Sequence, residues 1–197
     1  PYAAPEPYYS AFRPEGLREF PFELPQNAPL CMRAQRRWRL GDDASEAAMR
    51  EIRAVYLAMI AFVDAQIGRI LTTVRELGLE GGTLLVFTSD HGDYAGQHGL
   101  VEKWDTDFRD GLLHVPFLVA GPDIPRGVVR RGLSDHSDLV DTFLEIFDIE
   151  PAADWNRHGQ SLVPLLAGGS GKQAVFASGG HEAAMRRRFP EQADALL

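Results

Sequence analysis

Apolar residues recur at three- and four-residue steps through residues 44–77. Asp43 with Glu46 fits a capping box near the start of this run, and Gly78 ends it. Because such steps place side chains on one face of a helix, the pattern predicts a single amphipathic helix over 44–77. The apolar positions of that face are Met49, Ile52, Tyr56, Met59, Val63, Ile67, Ile70, Val74 and Leu77.

Short, continuous apolar stretches follow the helix. TLLVFTS at 83–89 comes directly after Gly81 and Gly82, and HVPFLVAGP at 114–122 has the same character. Unbroken apolar runs are typical of strands covered on both faces, as in parallel or mixed sheets. AVFAS at 174–178 predicts a further short strand. A long helix followed by buried strands indicates an α/β fold.

A second amphipathic segment occupies residues 136–149. Its spacing predicts a helix capped by Ser137, and SLVPLLAGG at 161–169 predicts a shorter helix. The side chains expected to face inward from the longer helix are Leu139, Val140, Phe143, Ile146 and Phe147.

The first forty residues have a different composition. Seven prolines fall within the first thirty residues, which show little periodicity, so we expect an irregular arm over 1–40. The main body is predicted over 41–180, followed by a tail at 181–197 whose structure the sequence does not specify. The expected aromatic anchors of the arm are Tyr8, Tyr9, Phe12, Phe20 and Phe22.

Composition and charge narrow the class of protein. A chain of 197 residues with 45% hydrophobic content can bury a core, as one domain or a large part of one. Its formal net charge of −8 disfavours a general nucleic-acid or anionic-membrane partner, although a local basic pocket can still hold a small anion. The oligomeric state is left open.

Cys31 is the single cysteine, so an internal disulfide is excluded. Every unbroken apolar run is far shorter than the roughly 18 residues that a membrane span needs, and no segment has the pattern of a signal peptide. The sequence therefore predicts a soluble protein, with the cytoplasm favoured.

Candidate chemistry begins at the end of the 83–89 stretch. Asp90 and His91 follow that strand, and Gly92 lets the backbone turn so that both side chains can face one point. Ligands of open α/β sheets bind beyond the carboxyl ends of strands. A carboxylate favours Ca²⁺, Mg²⁺ or Mn²⁺, and an imidazole adds Mn²⁺ or Zn²⁺. From these residues alone, the alternative is an Asp that caps the following turn beside a hydrogen-bonded His.

Longer segments carry a family resemblance. TLLVFTSDHGDYAGQHGLVEKW at 83–104, with AMIAFVDAQIGRIL before it and HVPFLVAGP after it, resembles the C-terminal half of the catalytic domain of sulfatases. LSDHSDLVDTFLEIFDI and RHGQSLVPLLAGG resemble further segments of that family, which belongs to the alkaline-phosphatase-like superfamily. Agreement runs from Ala47 to Gly169, with Asp141 where the family often has Pro and His158 where it often has Asp.

The resemblance implies a partial α/β domain with an alkaline-phosphatase-like mixed sheet between helices. It makes Asp90 and His91 metal ligands, together with two acids that lie nearer the N-terminus in the family. Ca²⁺ is the first choice of metal, with Mn²⁺ or Mg²⁺ as alternatives. Lys103 matches the lysine that contacts the transferred sulfate or phosphate group, and otherwise it is a solvated surface lysine. His98 either touches the substrate or supports the loop.

The remaining histidines at 114, 136 and 181 are interpreted as structural or exposed. Sulfatases attack with formylglycine made from a Cys/Ser-x-Pro/Ala-x-Arg motif. Cys31 does not fit this motif, because Arg33 replaces Pro or Ala and Gln35 replaces Arg. We therefore expect a fragment, truncated at both ends, that lies after the nucleophile and is inactive alone.

Three functions remain open at this point. The first is part of a sulfatase acting on a small sulfate ester, and the second is a phosphonate or phosphate ester hydrolase of the same superfamily. Its two-zinc branch needs an Asp-x-x-x-His pair, but Glu46 and Ala47 stand four residues after Asp42 and Asp43. The third is a non-enzymatic truncated remnant.

Overall fold

A computed structural model describes residues 2–39, 45–103 and 108–178. The described residues divide into two compact units. The first takes its residues from 1–78 and 91–115, and the second from 79–90 and 116–177. The α-helices are α1 Tyr8–Ala11, α2 Leu30–Arg39, α3 Glu46–Glu76, α4 Asp110–Leu113, α5 Ser137–Ile146 and α6 Val163–Leu166, and the strands are β1 Leu85–Thr88 and β2 Phe117–Ala120.

The predicted long helix is confirmed as α3, which has 31 residues. Its N-cap is Ser45, whose side-chain oxygen accepts a hydrogen bond from the Ala48 backbone N–H at 3.1 Å. The expected cap by Asp43 is therefore wrong, and Asp43 itself lies outside the described residues. Gly78, with a φ of 67°, follows the helix in the left-handed conformation that glycine adopts readily.

One face of α3 packs against the start of the chain. Met49, Ala54 and Ala58 are its buried residues, and the Tyr8 ring of α1 contacts Phe62 edge-on, with ring centroids 5.4 Å apart. By length and composition, α3 is the one described helix that could cross a membrane, which the expectation from unbroken apolar runs overlooked. A single such helix is weak evidence, because core helices of soluble proteins pass the same test.

The segment predicted to be irregular contains helices. The α1 and α2 helices and a 3₁₀ turn at Pro14–Gly16 lie within residues 1–40. Phe20 and Phe22 act as anchors, because the guanidinium of Arg53 lies 4.8 Å from the Phe20 ring centroid and that of Arg36 lies 4.7 Å from the Phe22 centroid. Tyr9 is 50% exposed, so its predicted role as an anchor is wrong.

A small core holds the first unit together. Its members come from the arm, from α2, from the segment after Asp90 and from α4, so residues far apart in sequence enclose one apolar cluster. The cluster consists of Ala28, Met32, Tyr94, Leu100 and Leu112, with Leu24 packed against it.

The second unit contains the sheet. The predicted strands at 83–89 and 114–122 are confirmed in shorter form, as β1 and β2, and they pair antiparallel with Leu85 opposite Ala120. In the described part of the chain the sheet has two strands. Phe87 is 42% exposed and Leu118 is 59% exposed, so the expectation of strands covered on both faces is not met there.

AVFAS at 174–178 does not form the predicted strand, and Phe176 in it is 92% exposed. The nearest pairing is a single antiparallel bridge between Leu133 and Lys172. The short helix predicted within 161–169 is confirmed as α6.

The α5 helix forms where predicted but buries its other face. Its buried residues are Asp138, Asp141 and Thr142, whereas Val140 is 41% exposed and Phe147 is 59% exposed. The predicted cap by Ser137 is also wrong, because Ser137 is the first residue of the helix. Charged partners for the two carboxylates explain why polar groups can occupy the buried face.

Candidate functional site

Asp90 lies two residues beyond the carboxyl end of β1. Its carboxylate is exposed, and the Ser89 hydroxyl lies 3.5 Å from Asp90 Oδ1. Asp90 is the last residue of its segment in the second unit, and His91 begins a segment of the first unit. Whether the two side chains face one point therefore stays a prediction.

His91 is half-buried, and its ring orientation is defined by a backbone contact. Its Nδ1 lies 2.8 Å from the carbonyl oxygen of Gly92. Because a carbonyl oxygen only accepts, Nδ1 is the donor in this contact. A ring nitrogen that donates to a backbone carbonyl is the outer contact that metal-ligating histidines usually make.

Gly92 allows a close backbone approach directly after His91. Its N–H donates to the Leu112 carbonyl at 2.8 Å, and a Cβ added at this position would lie 1.9 Å from the Gly111 carbonyl oxygen. Any side chain would therefore push away the start of α4. The close approach of the Gly111 backbone therefore explains why residue 92 is glycine. A positive φ does not, because Gly92 has none.

The next residues fold back on themselves as a tight loop, which we call the 93–102 loop. The Tyr94 N–H donates to the Glu102 carbonyl at 3.2 Å, and the Gly96 N–H donates to the Leu100 carbonyl at 2.9 Å. Gly96 has a φ of 93°, and a Cβ there would lie 2.8 Å from the Met49 carbonyl oxygen of α3. The loop thus returns the chain toward its own start before Lys103.

Tyr2 closes the 93–102 loop, a role that the sequence did not reveal. Its hydroxyl donates to Asp93 Oδ1 at 2.8 Å and accepts from the Glu102 N–H at 2.9 Å. The ring also contacts Tyr56 of α3 edge-on. Burial, followed by the hydrogen bond to Asp93, raises the pKa of Tyr2 above its usual value.

Lys103 is exposed and forms no hydrogen bond or ion pair with any described residue. Its approach to Asp90 stays a prediction, since the two residues belong to separate units.

His98 is held by the arm. Its backbone N–H donates to the Pro21 carbonyl at 2.6 Å, and its Nδ1 donates to the Glu23 carbonyl at 2.9 Å. These contacts support the loop, and contact with a substrate remains a prediction. His98 also belongs to the lining of a cavity of about 370 Å³, together with Tyr94, Gln97, Arg109, Asp110 and Gly111.

The two proposed metal ligands do not complete a site. Across residues 2–39, 45–103 and 108–178, no group of three or more His, Cys, Asp or Glu side chains could hold a metal ion. By donor chemistry, the Asp90 carboxylate and the His91 imidazole still fit a divalent cation. They would supply two donors of a larger set.

The second unit contains a buried charge cluster that sequence reasoning missed. Asp138 is fully buried, and Lys172 Nζ lies 2.6 Å from Asp138 Oδ1 and 2.7 Å from Asp135 Oδ2. Asp138 also accepts from the backbone N–H groups of Gln160 and Asp135. Burial alone would raise the pKa of Asp135, but hydrogen bonds from Lys172 and Ser137 outweigh it and hold that pKa below its ordinary value.

Asp141 forms an ion pair with Arg157. This pair gives a physical reason for the acid at position 141, because the carboxylate attaches the segment that contains Arg157 to α5. Gly159 permits the contact, since a Cβ there would lie 2.1 Å from the Ser137 carbonyl oxygen. Thr142 adds a hydrogen bond, with its Oγ1 accepting from the Leu162 N–H at 2.8 Å.

His136 contacts the strand end that precedes Asp90. Its Nε2 lies 2.8 Å from the Ser89 carbonyl oxygen. The sequence-based interpretation of His136 as structural or exposed did not identify this bond.

Known proteins resemble this chain in sequence. A family model described as Sulfatase matches residues 4–149. The chain is 38% identical over 128 residues to arylsulfatase K of Xenopus laevis, an alignment that covers 65% of this chain and 23% of that protein. It is 33% identical over 128 residues to choline-sulfatase of Rhizobium meliloti (strain 1021), covering 64% of this chain and 24% of that protein. The chain thus spans about a quarter of the length of these relatives.

Solved structures also resemble this chain. The phosphonate monoester hydrolase of Agrobacterium radiobacter superposes with a TM-score of 0.73 at 27% identity, covering 99% of this chain and 43% of that chain. A protein solved with its substrate D-glucosamine-2-N,6-O-disulfate gives a TM-score of 0.56 at 29% identity, covering 71% of this chain and 28% of that chain. The predicted alkaline-phosphatase-like α/β fold is confirmed, as part of a domain.

Proposed function

The chain belongs to the sulfatase family, and from this membership we propose that it forms part of a metal-dependent hydrolase that cleaves sulfuric ester bonds. The main support is the pair Asp90 and His91, which follows Ser89 at the end of β1 in a chain whose residues 4–149 match the family. In the complete enzyme, further acidic ligands and the formylglycine nucleophile come from other segments.

Asp90 and His91 each have a defined task in this proposal. Asp90 would contribute a carboxylate oxygen, and His91 would contribute Nε2, since its Nδ1 donates to the Gly92 carbonyl. A bound divalent cation supplies Lewis-acid chemistry and charge neutralisation. The Gly92 carbonyl restrains rotation of the His91 ring, so Nε2 keeps one direction.

Lys103 binds the group that is transferred. Its exposed ammonium makes no ion pair with a described residue, so its charge is available to the non-bridging oxygens of a sulfate ester. Negative charge on these oxygens grows or shifts as the ester bond breaks, and a positioned cation stabilises that change. The 93–102 loop, closed by Tyr2, sets the position from which Lys103 extends.

A phosphonate or phosphate ester is the second candidate substrate. It is favoured by the TM-score of 0.73 with the phosphonate monoester hydrolase, which covers 99% of this chain. The chemistry of Asp90, His91 and Lys103 serves either substrate, since both esters present anionic non-bridging oxygens to a cation and an ammonium group.

Kinetics of the complete enzyme separate these candidates. An aryl sulfate and an aryl phosphonate are compared by kcat/KM, with Ca²⁺ and Mn²⁺ tested separately. We expect the sulfate to be preferred and Asp90→Ala to lower metal occupancy and turnover together, by at least about a hundredfold. A preference for the phosphonate would support the second candidate. Absence of turnover despite bound metal would identify a non-enzymatic remnant.

Substitution of Lys103 tests its proposed contact. Lys103→Ala is expected to lower kcat by about a hundredfold, as loss of one charge-stabilising donor does, with metal occupancy and melting temperature unchanged. Arg126→Ala is the matched control, because Arg126 is exposed and forms no bond with any described residue. If Lys103→Ala and Arg126→Ala have the same kcat, Lys103 does not contact the substrate and is an ordinary surface lysine.

A further inference from the structure

His136 and Ser89 connect α5 to the end of β1. His136 Nε2 lies 2.8 Å from the Ser89 carbonyl oxygen, and both residues belong to the second unit. Since a carbonyl oxygen only accepts, the imidazole donates its Nε2 proton. Ser89 stands between Thr88, the last residue of β1, and Asp90, the proposed metal ligand.

The His136 imidazole does not cap α5. His136 occupies the position before α5, yet its side chain makes no capping bond there. Asp135 instead accepts from the Ser137 N–H at 2.9 Å and so satisfies that donor of the first turn. The ring of His136 is therefore directed at a different element, the strand end that leads to Asp90.

The backbone next to His136 is held in place by the buried charge cluster of Asp135, Asp138 and Lys172. Asp135, its neighbour in sequence, is bonded to Lys172 at 2.7 Å, and its N–H donates to the fully buried Asp138 at 3.0 Å. The backbone on both sides of His136 is thereby restrained, so its exposed ring extends from a defined point.

We propose that His136 is a positioning residue for Asp90 and orients this carboxylate through the Ser89 carbonyl. The inference rests on the proposed function, in which Asp90 is a metal ligand. Because the peptide between Ser89 and Asp90 is planar, holding its oxygen restricts the two torsions on either side of it. The direction of the Asp90 side chain follows from those torsions.

A group that orients a metal ligand by a hydrogen bond affects metal affinity more than the strength of that hydrogen bond suggests. Removal of such an outer partner typically weakens metal binding by ten- to a hundredfold. A bond exposed to solvent contributes little to folding, since water replaces it. His136 should therefore influence metal affinity while leaving the stability of the fold nearly unchanged.

The test uses the complete enzyme and its affinity for Ca²⁺, measured by competition with a chelator. His136→Ala removes the donor, and His136→Gln returns an N–H near the position of Nε2. His158→Ala is the matched control, because His158 is exposed in the same unit and forms no bond with any described residue. Asp90→Ala is measured alongside, together with kcat, KM and melting temperature.

The expected result is a ten- to hundredfold weaker Ca²⁺ affinity for His136→Ala, near-complete recovery in His136→Gln, and no change in His158→Ala. If Asp90→Ala abolishes binding but His136→Ala binds as tightly as wild type, the inference is overturned and the proposed function stands. If Asp90→Ala also binds normally, the proposed function itself fails, and the inference with it.

A melting temperature that falls in parallel with affinity in both His136→Ala and His136→Gln would assign His136 a purely structural role and overturn the inference. If His136→Ala does not fold, His136→Asn replaces it. Asparagine keeps the polar amide but is too short to reach the Ser89 carbonyl, so its contrast with His136→Gln decides the same question.

Discussion

A single hydroxyl group, that of Tyr2, ties together the two ends of the 93–102 loop. Tyr2→Phe removes one oxygen, which leaves the Asp93 carboxylate and the Glu102 N–H without this partner. We expect the free energy of unfolding to fall by about 1–2 kcal/mol, because a hydrogen bond to a carboxylate is lost in a half-buried place. Denaturant unfolding measures the change.

Tyr9→Phe is the control for Tyr2→Phe, since Tyr9 is 50% exposed and its hydroxyl bonds to no described residue. Equal effects of the two substitutions would contradict the proposed closure of the loop.

The raised pKa of Tyr2 also predicts a pH dependence. A group whose pKa is higher in the folded state than in the unfolded state stabilises the fold fully below its unfolded pKa, about 10 for tyrosine. This contribution is lost as the pH rises through the folded pKa. Wild-type stability should therefore decline above about pH 10 more steeply than that of Tyr2→Phe, as thermal unfolding across pH 8–11 would register. Parallel curves would be the contrary result.

Gly92 offers a second test at the scale of one residue. Gly92→Ala places a methyl group 1.9 Å from the Gly111 carbonyl oxygen, and backbone cannot yield as a side chain can. We expect a loss of about 3 kcal/mol, at the upper end for overpacking, together with weaker metal binding in the complete enzyme because His91 adjoins Gly92. Gly81→Ala is the control, since a Cβ there has no heavy atom within 4 Å.

At the scale of elements, α5 depends on a buried lysine. Lys172→Met leaves the fully buried Asp138 without its cation, and breaking such a pair typically costs about 3–5 kcal/mol. The Lys172 side chain keeps 11% exposure, so we expect the lower end of this range. Chemical denaturation gives the value, with Arg126→Met as an exposed control in the same unit. A loss below about 0.5 kcal/mol would contradict the pairing.

The two carboxylates of α5 also explain where helix prediction from sequence succeeds and where it fails. Periodicity identified the α3 and α5 helices, because three- and four-residue spacing reports helical geometry. It misidentified the buried face of α5, because it assumed that apolar residues face inward. Lys172 and Arg157, supplied by distant parts of the sequence, are what allow Asp138 and Asp141 to be buried.

For the strands, the sequence predicted their positions but not their burial. The runs at 83–89 and 114–122 contain β1 and β2, since continuous apolar stretches between glycines are typical of strands. Their burial could not be predicted from the run itself, because coverage of a sheet depends on which segments pack on it. AVFAS at 174–178 satisfies the same local rule without a pairing partner among the described residues, and it remains irregular.

For the site, the candidate residues and the family could be predicted from the sequence. The hydrogen bonds that hold the segments around these residues could be found only in the structure. Asp90, His91 and Lys103 stand out because their motif is contiguous. Tyr2 and His136 do not, since Tyr2 bonds to Asp93 across 91 positions and His136 to Ser89 across 47. Supporting contacts of this kind have no local signature, so they become visible only in a folded structure.

At the scale of the whole molecule, the number of metal donors limits what this chain can do by itself. The proposed ligands Asp90 and His91 would supply two donors, whereas Ca²⁺ takes six to eight oxygen ligands in proteins. Even complete sites in extracellular modules bind Ca²⁺ with a Kd of about 0.1–1 mM. The chain spans about a quarter of its curated relatives, which leaves room in a complete enzyme for the remaining ligands.

We therefore expect the isolated 197-residue chain to bind Ca²⁺, Mg²⁺ and Mn²⁺ more weakly than about 1 mM and to hydrolyse neither an aryl sulfate nor an aryl phosphonate. Calorimetric titration and a turnover assay measure both properties, with the complete enzyme as the positive control. Cys31 does not stand in a formylglycine motif, so it does not supply the nucleophile that sulfatases use. Micromolar affinity that disappears in Asp90→Ala would contradict this prediction, because it would require further ligands among these residues, with Asp42 and Asp43 as the first to substitute.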